Sequence, residues 1–260
     1  REMVREKYPY VKILENGANL GVAGGRNRLF WNTRSKYTMI LDSDTLLHAN
    51  TVDTLVYVAE TNPKAGFVSA TATKVSTVHL YKISFTTRRS SDLPKAGIVH
   101  PKLVYRDQSL QLSIRPFPSI FHIAIEGTKL RGLFEWTGLP ARIQMRNCGH
   151  DHLMEFDCCY GAGLIIRNSV LKQIGGFDEG YFYQYEDYDL CYRVKAAGYE
   201  NWYQPAATMT HFYEREDTVF HPGLKKHLKS ILRFQMRNIW KISKSPPVHT
   251  RKFDGDLVPP

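Results

Sequence analysis

The chain has 260 residues, 43% hydrophobic and 12% aromatic, which excludes a disordered chain and suits one large domain, or one domain with an appendage. A formal net charge of +10 raises a polyanionic partner such as nucleic acid, anionic lipid or a nucleotide diphosphate, without choosing among them. The four cysteines, Cys148, Cys158, Cys159 and Cys191, give no Cys-x-x-Cys pair and no zinc set, and no apolar run approaches the ~18 residues of a spanning helix, so a reducing, cytoplasmic setting is the simpler reading.

Arg1 heads the chain with neither Met nor a signal-like segment behind it, which reads as an internal fragment. Glu2 to Tyr8 reads as a helix end, Val11 to Leu14 as a short strand, and Asn16 to Gly25 as a glycine-rich turn into a helix from Arg26 to Asn32. Tyr37 to Leu41 is a continuous apolar or β-branched run, the mark of a strand buried on both faces, with Asp42-Ser43-Asp44 at its carboxyl end. Asn50 then caps a helix to about Glu60, with Val52, Leu55, Val56 and Ala59 on one face. This alternation predicts an α/β fold with a mostly parallel sheet, whose ligands bind outside the strands' carboxyl ends.

Residues 69–93 interrupt the pattern with a polar, basic tract. Pro63-Lys64-Ala65-Gly66 before it recurs as Pro94-Lys95-Ala96-Gly97 after it, so the tract reads either as an assembly artefact with a duplicated junction or as a surface insertion, and it is assigned no function. Gly97 to Tyr105 resumes as a strand, and Arg115 to Phe156 is irregular. Tyr160 to Ile166 reads as a strand, Ser169 to Ile174 as a helix stopped by Gly175-Gly176, and Glu186 to Ala197 as a helix closed by Gly198. Ala207 to Thr210 precedes His211 as a strand, and Leu224 to Ile242 is an amphipathic basic helix ended by Pro246-Pro247.

Several pieces carry chemistry. Asp42 and Asp44 at a strand end offer two carboxylates to a hard divalent cation, Mg²⁺ or Mn²⁺, bridging a diphosphate; the alternative is that Asp44 only turns the chain. Asp187-Tyr188-Asp189 repeats the spacing. Asn19 to Asn27 lacks the spacing of a dinucleotide fingerprint or a P-loop, yet a glycine-rich entry to a helix can approach phosphate or sugar, or be a plain tight turn. Glu186 and Asp187 fall at a helix N-terminus, where the dipole favours an ionised carboxylate; Phe182, Tyr183 and Tyr185 before them suit an aromatic-walled cleft. A lone His211 at a strand end is either a hydrogen-bonded core residue or a metal ligand.

Taken in order, Asn19-Leu20-Gly21-Val22-Ala23-Gly24-Gly25-Arg26-Asn27, Leu41-Asp42-Ser43-Asp44-Thr45, Gly161-Ala162-Gly163-Leu164, Gly175-Gly176-Phe177-Asp178-Glu179, Tyr185-Glu186-Asp187-Tyr188-Asp189-Leu190-Cys191-Tyr192-Arg193 and His211 resemble glycosyltransferase family 2, especially its bacterial rhamnosyltransferase-like branch. The resemblance implies a GT-A domain over residues 1–215, lacking the family's first strands, and a basic helical extension over 216–260. It implies an inverting, metal-dependent transfer from a nucleotide-diphosphate sugar to a saccharide or lipid-linked acceptor, as in cell-surface polysaccharide synthesis. By the same resemblance Asp44, Asp42 and His211 hold the metal, and Asp187, with Glu186 as its competitor, is the catalytic base. Asn19, Gly21, Gly24, Gly25, Arg26, Asn27, Asp42, Gly161, Ala162 and Gly163 line the nucleotide sugar.

The expected setting is cytoplasmic, with the basic helix suited to peripheral contact on the inner face of the plasma membrane. A sugar nucleotidyltransferase is the rival enzyme. A basic nucleic-acid-binding module is the rival of another class, disfavoured because Lys and Arg are spread widely and no nucleic-acid motif appears; no nucleic-acid partner is expected.

Overall fold

A computed structural model describes residues 1–60, 96–119, 131–213 and 224–242. The tract 69–93 lies outside the described residues. The strands are β1 (Tyr37–Leu41), β2 (Thr45–Leu47), β3 (Ala96–Val104), β4 (Leu110–Gln111), β5 (Ile114–Arg115), β6 (Met154–Glu155), β7 (Cys158–Cys159), β8 (Gly163–Arg167) and β9 (Glu200–His211). The helices are α1 (Glu2–Lys7), α2 (Gly21–Phe30), α3 (Thr51–Glu60), α4 (Arg131–Phe134), α5 (Leu139–Ile143), α6 (Asn168–Gln173), α7 (Glu186–Ala196) and α8 (Leu224–Ile242).

The main sheet runs β1-β8-β3-β9-β2, with β4 beside β3 and β6 beside β9. Successive residues of one strand supply opposite faces, as the pleat requires. Leu164 and Ile166 join Ala23, Phe30, Val170, Leu171, Leu190 and Val194 of α2, α6 and α7 on one side. Ile165, Val99 and Trp202 meet Leu55, Val58 and Ala59 of α3 on the other. The result is an α/β/α sandwich in which each fully buried large aliphatic side chain contributes about 1.5–3 kcal/mol. At Gly97 α7 presses close against the sheet, since a Cβ there would stand 2.4 Å from Val194 Cγ1.

The fold is of the expected α/β class: its longest ladder, β3 with β9, is parallel at the centre, with β1–β8, β8–β3 and β9–β2 antiparallel around it. Three expectations need correction. β1 is less buried than its apolar run suggests: Ile40 enters one core cluster and Tyr37 and Met39 pack partly against the other, but Leu41 at its end is exposed, and among the described strands only β8 flanks it. Val11 to Leu14 forms no strand, because so short a run needs a neighbour to complete its ladder and none stands beside it among the described residues. On α3 the buried face is Thr51, Thr54, Leu55, Val58 and Ala59, while Val52 is exposed.

Candidate active site

The glycine-rich segment is helix rather than loop. α2 begins at Gly21, five residues before the predicted start, because its first amides find partners: Asn19 Oδ1 accepts the Gly21 N–H at 2.9 Å and the Phe182 carbonyl accepts that of Val22 at 3.1 Å. Gly21 has φ +70°, and a Cβ there would lie 2.6 Å from the Phe182 carbonyl oxygen, so this position requires glycine. From Gly24 onward the amides belong to the helix's own ladder and are not presented to a ligand. Asn27 is buried and committed to the chain: its amide donates to the Phe177 carbonyl at 2.9 Å and to Glu179 Oε1 at 2.8 Å, and accepts from the Phe177 N–H at 2.7 Å. Leu14, Asn16, Gly21, Gly25, Arg26 and Arg28 help line an open cleft of about 290 Å³ beside this helix.

Arg26 turns inward instead. Its guanidinium is largely buried, with Nη1 3.0 Å from Glu186 Oε1 and Nη2 3.0 Å from Asp42 Oδ1. Nη2 also donates to the Gly161 carbonyl at 3.2 Å, and the group stacks over Phe177. Gly161 makes room for it, since a Cβ there would meet Nη1 at 2.6 Å. Gly163, by contrast, packs against a core side chain, its absent Cβ lying 2.7 Å from Met209 Cε, and Ala162 contributes its carbonyl to the Asp42 N–H at 3.1 Å.

Asp44 and His211 meet because β2 pairs antiparallel with β9, placing Thr45 opposite His211. Asp44 Oδ2 lies 3.5 Å from His211 Nε2, and oxygen or nitrogen atoms of Asp42, Asp44 and His211 all fall within 4.8 Å of one another. His211 Nδ1 is 3.0 Å from Gln111 Oε1, an acceptor to which the ring nitrogen donates. Nε2 is then the nitrogen that faces the two carboxylates, and the three groups together are a donor set of the kind a divalent cation takes.

The other half of the site is the start of α7. Gln184 (φ 60°) and Tyr185 (φ 69°) are consecutive left-handed residues with side chains, costing about 1–3 kcal/mol each, and they aim Glu186 and Asp187 at the sheet edge. Asp187 Oδ2 accepts the Gly161 N–H at 2.9 Å and Oδ1 accepts that of Tyr188 at 2.8 Å. Glu186 Oε2 is buried without a partner. Burial, then the adjacent Asp187 charge, pushes the Glu186 carboxyl up to about 8 despite Arg26. Burial also raises Asp187 against the pull of Arg26 and its two N–H donors, so the ionised form is not favoured by the helix end as the sequence suggested. Asp189 stands apart from Asp42, Asp44 and His211, buried and held by Arg193 Nε at 2.6 Å, so this member of the second Asp-x-Asp has a structural role.

The fold therefore assembles Arg26, Asp42, Asp44, Gly161, Ala162, Glu186, Asp187 and His211 at one edge, and leaves Asn19, Asn27, Gly24 and Gly163 with turn or packing roles. Gln111 and the left-handed backbone at Gln184 and Tyr185 escaped the sequence reading, which took Tyr185 only as part of an aromatic wall. Nothing in the residues near Gln111 marks it as a partner of a histidine on a distant strand.

Residues 1–236 match the family described as Glycosyltransferase like family 2. Over 82 residues the chain is 37% identical to rhamnosyltransferase WbbL of Escherichia coli (strain K12), which covers 31% of each protein. Over 210 residues it is 29% identical to N-acetylglucosaminyl-diphospho-decaprenol L-rhamnosyltransferase of Mycobacterium tuberculosis (strain CDC 1551 / Oshkosh), covering 79% of this chain and 60% of that protein. The chain thus spans only part of the length of these curated relatives. A crystal structure of GalNAc-T7 with UDP, GalNAc and Mn²⁺ shares the fold, with a TM-score of 0.51 at 12% identity over 89% of this chain and 38% of that one.

Proposed function

The chain belongs to glycosyltransferase family 2 and has the α/β fold of GT-A type, and from that premise we propose that it transfers a hexose, rhamnose above all, from a nucleotide-diphosphate donor to a lipid-linked saccharide acceptor, with inversion. The observation that carries the reading is the junction of two groups: Asp42, Asp44 and His211 on one side, Glu186 and Asp187 on the other, joined through Arg26.

Asp44, Asp42 and His211 would hold Mn²⁺ or Mg²⁺, the imidazole nitrogen making Mn²⁺ at least as suitable. When bound, such a cation supplies counter-charge to a departing diphosphate. Asp187 takes the proton of the attacking acceptor hydroxyl. Its two N–H donors fix the carboxylate's orientation, and burial raises its basicity. Glu186 retains its proton near neutral pH and acts as a neighbour that positions Arg26 and, through it, Asp42. Gly161, lacking a Cβ, leaves room for the Arg26 guanidinium between them.

Peripheral contact with the inner face of the plasma membrane is part of the same reading. Among the described residues no helix is long and apolar enough to cross a membrane. α8 has no acidic residue, and Leu228, Leu232 and Met236, spaced by four, are exposed along one side.

The test is a panel of uridine- and thymidine-diphosphate sugars, each with and without Mn²⁺, assayed for nucleotide release with a polyprenyl-diphosphate sugar acceptor. Acceptor-dependent, metal-dependent release from one donor is the expected result. Release from none of them would overturn the reading.

A further inference from the structure

The strained approach to α7 has a holder outside the sandwich. Gln184 and Tyr185 occupy the left-handed region without being glycine, a conformation that persists only where the surroundings enforce it. α2 pins the segment before them at one point, through the Phe182 carbonyl. Further restraints come from α8. Ser230 Oγ donates to the Tyr183 carbonyl at 2.8 Å, and the ring of Phe234, fully buried, lies 5.7 Å from that of Tyr185. Arg233 donates to both oxygens of Asp178, at 2.9 and 3.0 Å through Nη2, and stacks over Tyr181. Arg237 pairs with the same carboxylate. The guanidinium of Arg233 lies so close to the backbone that a Cβ on Gly180 would meet its Cζ at 2.2 Å. A fork of this kind adds geometric specificity as well as attraction.

We propose that α8 is a positioning element for the site: Ser230, Arg233 and Phe234 clamp residues 178–185, keep Gln184 and Tyr185 left-handed, and so present Glu186 and Asp187 in register with Arg26 and Gly161. The consequence for turnover rests on the transferase reading; the clamp itself does not. These are positioning residues, acting through the backbone.

The experiment compares the full chain with Phe234→Ala and, in case that variant folds poorly, Arg233→Gln, by turnover and by amide hydrogen exchange. The clamp predicts that kcat falls by about 10-fold or more while donor KM changes by less than about two-fold. Exchange should quicken by about 10-fold or more in residues 178–190, with the β3 and β9 amides unaffected. Because Gln184 is exposed and glycine adopts its conformation freely, Gln184→Gly added to Phe234→Ala should restore part of the lost rate, which a general packing defect would not permit. Unchanged exchange in 178–190 in both variants would overturn the clamp, as would a loss of protection spread evenly over the sheet. A wild-type chain that turns over no donor would count against the transferase reading alone, and the exchange data would still decide the clamp.

Discussion

Arg26 Nη1 stands 3.0 Å from Glu186 Oε1, joining the first described helix of the sandwich to the start of α7 across 160 residues of sequence. The same guanidinium reaches Asp42, so the Asp42–Asp44–His211 group and the Glu186–Asp187 pair share one residue. That geometry depends on Gly161. Gly161→Ala would set a Cβ 2.6 Å from Nη1, displacing the guanidinium from both partners. Transfer should fall by about 10-fold or more, since a displacement of about an ångström in a positioned group has costs of this order, while the far-ultraviolet circular dichroism stays unchanged. Wild-type turnover in this variant would show that the link is dispensable.

The cation site can be tested apart from turnover. Calorimetric titration of Mn²⁺ should show one site in the intact chain and none after Asp44→Ala or His211→Ala. Gln111→Leu removes the acceptor that fixes the His211 tautomer and should weaken Mn²⁺ by about 10–100-fold without abolishing it. Equal Mn²⁺ affinity in the Gln111 variant would show that the tautomer is set in another way.

Asp187 and Glu186 are adjacent but differently placed, which separates their variants. Asp187→Asn should lower transfer by about 100-fold or more with donor affinity little changed, because the proton acceptor is gone while the fold is kept. Glu186→Gln, which resembles the protonated carboxyl already present, should cost much less. The reverse order would move the base to Glu186.

Glu186 also gives a pH signature in stability. Its carboxyl keeps a proton up to about pH 8 in the folded chain, against an ordinary value of 4.5. Between those values the native state binds more protons than the unfolded one, so stability falls as pH rises through the window; the contribution is full below it and lost above it. Thermal melts of wild type and Glu186→Gln should therefore diverge in the variant's favour between about pH 5 and pH 8. A constant difference in Tm across that range would contradict the raised carboxyl.

On α8 the outward stripe and the clamp occupy different sides, so membrane contact can be probed without touching the clamp. Cosedimentation with phosphatidylglycerol-containing vesicles should be lost on Leu232→Glu or Met236→Glu and weakened by Lys229→Glu, with little binding to phosphatidylcholine alone. Binding indifferent to both stripe and lipid charge would remove the membrane from the reading.

Much of the molecule is legible in the residues alone. Apolar runs such as Gly163–Arg167, the helix α3 and the acidic start of α7 follow from local period and end chemistry, and the Asp-x-Asp, Glu-Asp and His211 motifs mark the chemistry they could perform. Local pattern says nothing of which elements meet. That β2 lies against β9, bringing Asp44 to His211, and that β1 pairs antiparallel with β8 are decided by packing between segments far apart in sequence. The same holds for Arg26, read as a sugar-side residue and found bridging two carboxylates, and for Asn27, whose amide is spent on the Phe177 backbone. The protonation of Glu186 is the clearest case. A helix N-terminus by itself favours a charged carboxylate, and only burial in the assembled sandwich, with a second carboxyl beside it, makes the neutral form win.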